Sequence, residues 1–129
     1  MRALVVAAVF ACAAPQPPPG SAGPAEAVQD LAAALQKGDS ATAWSLLSMK
    51  TQKEADAQAA RARSVAGAGP DSGRAMLFTS ALPGRSVEAH LVSQSADSAE
   101  VRTANDGGAR VYHVVREAGR WRVDLEVPR

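Results

Sequence analysis

From Arg120 to Val127 polar and apolar positions alternate without a break. Trp121, Val123, Leu125 and Val127 fall on one side of an extended chain, and Arg120, Arg122, Asp124 and Glu126 on the other. A period of two is the mark of a half-buried strand. The same period runs through Arg110–Glu117 and Ser98–Ala104, and more weakly through Val87–Ser93. Turn-forming pairs separate these runs: Ala96-Asp97, Asp106-Gly107-Gly108 and Ala118-Gly119. Four short strands joined by tight turns predict an antiparallel meander.

The turns also set the register. A two-residue loop at Ala118-Gly119 places Glu117 opposite Arg120, Arg116 opposite Trp121, Val114 opposite Val123, and Tyr112 opposite Leu125. A two-residue loop at Asp106-Gly107 places Tyr112 opposite Val101, and His113 between Glu100 and Asp124. Val101, Tyr112, Val114, Trp121, Val123 and Leu125 then share one face. A one-residue slip would send all of them to the other side.

Before residue 84 the period is 3.6. Pro24 suits a first helical position, and Val28, Leu31, Ala32 and Leu35 follow the spacing of one buried helix face. Gly38 predicts a left-handed cap, and Asp39 or Ser40 caps a second helix carrying Ala43, Trp44, Leu46 and Leu47. Thr51-Gln52-Lys53-Glu54 reads as a capping box opening a third helix that runs to about Val65, with a thin, alanine-rich apolar face. Gly67-Ala68-Gly69-Pro70 ends it. Ala75–Leu82 is compatible with a helix or a strand and stops at Pro83-Gly84. Helices packed on the apolar face of an antiparallel sheet make the fold class α+β.

Composition narrows the chemistry. The chain has 14 Lys and Arg against 13 Asp and Glu. A balanced domain lacks the clustered basic face that nucleic acid requires, so no nucleic-acid partner is expected. The two histidines, His90 and His113, stand at no metal-motif spacing, and no cofactor motif appears. Residues 25–129 are the length of one domain. Before them, Pro15–Pro24 holds five of the eight prolines and reads as an extended spacer of ~3.1 Å per residue.

The single cysteine, Cys12, closes the apolar run Ala3–Ala11, which follows Met1-Arg2. That run is far shorter than the roughly 20 residues of a membrane-spanning helix. Val9-Phe10-Ala11-Cys12 resembles the bacterial lipoprotein signal, although Phe10 stands where that signal usually has a small residue. The resemblance implies a signal peptide over residues 1–11, fatty acylation of Cys12, and a lipidated linker over residues 12–24. It further implies an exported protein anchored in a cell-envelope membrane. With Ala13 rather than aspartate after the cysteine, that membrane would be the outer one of a Gram-negative cell. Cleavage after Ala13 is the alternative, and would release a soluble exported protein.

Two stretches resemble the nuclear-transport-factor-2-like (SnoaL-like) superfamily. One is AVQDLAAALQKGDSATAWSLLS at 27–48, with its K-G-D bend between helices. The other is VYHVVREAGRWRVDLEV at 111–127, with its closing Gly-x-Trp-x-Val strand. The resemblance implies a curved sheet wrapped around helices as a cone, often with a cavity at its open end. Members include small-molecule isomerases and cyclases, binding modules and exported lipoproteins, so the fold itself assigns no activity.

Two groups of side chains are candidates for function. Trp44, Phe78, Tyr112 and Trp121 either fill the core or line a pocket for a small hydrophobic ligand. His113 with Asp124 and Glu100 is the one constellation suited to acid–base chemistry, but the register puts it on the face away from the helices. The resulting expectation is a non-enzymatic binding or interaction module whose partner is a small ligand or an envelope protein. The alternative is a SnoaL-like enzyme using His113 and Asp124. Leu91, Val111 and Val115 are a candidate patch for a homodimer on the convex sheet face.

Overall fold

The first helix, α1 (Pro24–Lys37), starts on its proline and ends where Gly38 takes a left-handed φ of 68°. Asp39 follows at once, accepting a hydrogen bond from the Thr42 amide and capping α2 (Ser40–Ser45). The long α3 (Met49–Ala66) and the short α4 (Gly73–Phe78) complete the helical half. A computed structural model describes residues 19–69, 72–78, 88–105 and 108–126. The export segment, Cys12, the linker up to residue 18, residues 79–87, the Asp106-Gly107 loop and Val127 lie outside the described residues.

Four strands follow, β1 (Glu88–Gln94), β2 (Ser98–Asn105), β3 (Gly108–Glu117) and β4 (Arg120–Asp124), in the order β1-β2-β3-β4 with every pair antiparallel. The register is the one the turns dictate. Val101 pairs with Tyr112, Glu100 with His113, His113 with Asp124, Val114 with Val123, and Arg116 with Trp121. In the β3–β4 turn Ala118 and Gly119 both have positive φ, 51° and 76°. That is the geometry of a hairpin turn whose twist matches its strands.

The architecture is α+β. Helix α1 lies across the inner sheet face and touches all four strands. Ala27, Val28, Leu31 and Ala34 meet Ala99, Val101, Val114, Trp121 and Val123 in one core, with Ala43, Leu46 and Leu47 from the second helix and its exit. Tyr112, Leu125, Trp44 and Phe78 pack against that core, each partly buried. The alanine-faced α3 contributes no residue to that core and packs chiefly against α4. Thr51, Ala55 and Ala59 are buried, whereas residues 60–66 are exposed and Val65 keeps 89% of its surface.

Four details depart from the sequence reading. Ser48, not Thr51, caps α3, accepting from the Thr51 amide at 3.2 Å, so the helix starts two residues before the proposed capping box. Thr51 lies inside the first turn, and its hydroxyl is taken up by strand β4.

Leu91 is not on the convex face with Val111 and Val115. It pairs with Val101 and so points to the helix side, where it stays 48% exposed. The cause is a bulge at Val92, one extra residue that resets the alternation along β1.

The folded unit also begins before residue 25. Ser21 is 2% exposed and bridges to Trp121, and its hydroxyl donates to Asp30 at 2.5 Å. Finally, strand β4 stops at Asp124, and Leu125 and Glu126 lie outside it. Its outer edge is covered by Ser21 at one end and at the other by Leu47, which bridges in parallel to Val123. Sealing an edge in this way removes a site of unwanted strand pairing.

Candidate ligand groove

Strand lengths create a groove with the shape of a binding site. Strands β2 and β3 have eight and ten residues, but β4 has only five, and its last pair is His113 with Asp124. The β2–β3 hairpin therefore extends past the end of β4. Its inner face continues beyond the core with α1 standing over it. Between them lies a groove of about 480 Å³. That is within the range of about 300–1,000 Å³ typical of small-molecule sites.

One wall is the apolar face of α1: Val28, Leu31, Ala32 and Leu35. The opposite side comes from Thr103 on β2, from Gly108, Ala109, Arg110 and Tyr112 on β3, and from Leu125. Val28, Leu31 and Thr103 are buried, while Leu35, Tyr112 and Leu125 are half-buried and present surface to the opening.

The polar side chains of the lining are Thr103, Arg110 and Tyr112, all on the strand side. The Thr103 hydroxyl leans on the Arg110 carbonyl at 3.4 Å. Arg110 pairs across the strands with Thr103 and shares its strand face with Tyr112, whose side chain pushes the pKa of the guanidinium further above the ordinary range. Arg110 is the only charged side chain among the described lining residues.

The sequence-derived site residues divide around this groove. Tyr112 lines it. Trp121 is 5% exposed and belongs to the core, Trp44 packs at the core margin, and Phe78 borders a separate shallow depression with Gly38, Ser40 and Arg74. The four aromatics therefore do not converge on one cavity. Arg110 was not singled out from sequence. Its signal was present: an arginine at the period-two position that otherwise carries Tyr112 and Val114.

The register does bring His113, Glu100 and Asp124 side by side on the outer face. His113 is exposed there, and among the described residues no hydrogen bond or ion pair joins it to either carboxylate. Asp124 is engaged elsewhere, accepting from the Ser48 hydroxyl at 2.7 Å and the Thr51 hydroxyl at 3.1 Å. The Leu125 amide donates to the same Thr51 oxygen at 2.9 Å. This carboxylate fastens the start of α3 to the end of β4.

A second fastening lies alongside it. Glu117 accepts from the Met49 amide at 3.1 Å and from Arg122 at 3.1 Å, which accounts for the burial of an arginine on the outer face. Among the described residues no group of three or more potential metal ligands occurs, and no helix is long and apolar enough to cross a membrane. Compared with known proteins, this chain matches no family model, no curated sequence and no solved structure.

Proposed function

We propose that this chain is an exported, lipid-tethered binding module of nuclear-transport-factor-2-like architecture. Its task is to hold a small, largely apolar ligand in the groove between α1 and the β2–β3 hairpin. The observation that carries the reading is the groove itself, a concave space with an aliphatic helix wall and two hydroxyls and one guanidinium on the strand side. Sites of this composition bind by burial of apolar surface and orient the ligand by a small number of polar contacts.

The binding reading is preferred to acid–base catalysis for a geometric reason. His113 and Glu100 occupy the sheet face opposite the groove, and the Asp124 carboxylate is taken up by Ser48 and Thr51. Two chains of a diacylglycerol on Cys12 would supply stable membrane attachment. The bridge from Ser21 to Trp121 supports a tether that leaves the domain at a fixed point beside β4.

Each half of the proposal has its own test. Cys12→Ser moves the protein from the membrane to the aqueous fraction if the tether is acyl. A variant that still sediments with vesicles overturns that half. For the groove, thermal-shift screening against apolar envelope metabolites identifies a stabilising ligand. At 100 times its dissociation constant such a ligand adds about 2.7 kcal/mol. Leu35→Trp, which fills the groove, abolishes that stabilisation. Equal stabilisation of both proteins overturns the site.

A further inference from the structure

We infer that the groove selects an anionic amphiphile, a medium-length straight-chain carboxylate whose head group sits on Arg110 and the Tyr112 hydroxyl. The inference rests on the groove being a binding site and adds the charge of its occupant. Three features point to it. Arg110 is the only charged group among the described lining residues, so the net charge offered to an occupant is positive. It pairs across the strands with Thr103 and shares its strand face with Tyr112, so a guanidinium and two hydroxyls lie on the same stretch of the groove lining. No ion pair involving Arg110 occurs among the described residues.

The rest of the side-chain lining, Val28, Leu31, Ala32 and Leu35 of α1 with Leu125, is aliphatic and offers no second charged or hydroxyl group. One charge in an otherwise mainly apolar lining matches a single-headed amphiphile, in which guanidinium and carboxylate form charge-assisted hydrogen bonds.

Binding is measured by calorimetry on the full chain carrying Cys12→Ser, so that no detergent competes. The probes are dodecanoate, dodecanol and dodecyltrimethylammonium, each below its micelle concentration. The expected result is that dodecanoate binds about tenfold more tightly than dodecanol and that the cation binds more weakly than either. Arg110→Gln is expected to weaken dodecanoate binding about tenfold and so to remove its preference over dodecanol. If dodecanoate and dodecanol bind alike and Arg110→Gln changes neither, the charge selection is overturned and the apolar groove stands. If none of the three binds, both readings fail.

Discussion

Ser21 and Trp121 exchange both backbone hydrogen bonds, each 2.9 Å long, and so join the end of the proline-rich segment to the edge of the last strand. Gly20 makes the approach possible. Its φ is 125°, and a Cβ there would stand 2.8 Å from both the Arg120 Cβ and the Trp121 carbonyl oxygen. Arg120 in turn donates to the Gly20 carbonyl at 2.9 Å.

The folded unit therefore starts near residue 20. Removal of residues 1–18 is expected to leave the melting temperature unchanged, and removal of residues 1–22 to lower it. Gly20→Ala should cost about 1–3 kcal/mol through backbone strain and the clash. Circular dichroism melts of the three variants check the boundary.

The β3–β4 turn carries a residue that is not the best for its geometry. Ala118 has a φ of 51°, where asparagine and glycine are favoured at the first position of this hairpin turn. Ala118→Asn should stabilise the protein by about 0.5–1 kcal/mol, read as a shifted midpoint in urea with an unchanged slope.

Asp39 links stability to acid. Side-chain and backbone hydrogen bonds from Thr42 hold its carboxyl below the ordinary value of 3.8. The folded state thus favours the charged form. Its stabilisation is complete above the unfolded value and is lost as pH falls through the lower, folded one. Asp39→Ala should melt below the parent protein at neutral pH, and the gap should close on acidification below about pH 4. Asp39→Asn, which still caps, should lose less at neutral pH. Melting curves from pH 7 to pH 2 decide it.

Position in the sheet separates two leucines. Leu47 is fully buried between α2 and Val123, so Leu47→Ala should cost about 2–5 kcal/mol. Leu91 is half-exposed beside the bulge, and its replacement by alanine should stay within roughly 0.5 kcal/mol of the parent. Denaturant titration of both tests whether the bulge sets Leu91 apart from the core.

The strand register was legible because two-residue loops leave no freedom. Once Ala118-Gly119 is a turn, Val114 must oppose Val123. The capped ends of α1 and the start of α2 were legible for the same local reason, through Pro24, Gly38 and Asp39. What sequence could not carry was anything set by distant partners. Ser48 caps α3 where it and Thr51 both donate to Asp124, a contact made across more than half of the chain that no local pattern marks. The bulge at Val92 shifts the alternation of β1 and so misplaces Leu91, and no composition signal marks it. The groove escaped because it arises from a mismatch in strand length. The aromatics that attracted attention, Trp44 and Trp121, are spent on the core. Arg110, the charge in the groove lining, looked like an ordinary surface residue.

The groove is tested most directly by amide nitrogen–proton correlation spectra of the full chain, with Cys12→Ser, titrated with dodecanoate. Progressive shifts are predicted at Leu31, Leu35, Thr103, Ala109, Arg110, Tyr112 and Leu125, with Glu100 and His113 unmoved. Shifts centred on Glu100, His113 and Asp124, or a spectrum that does not change at all, would contradict the account.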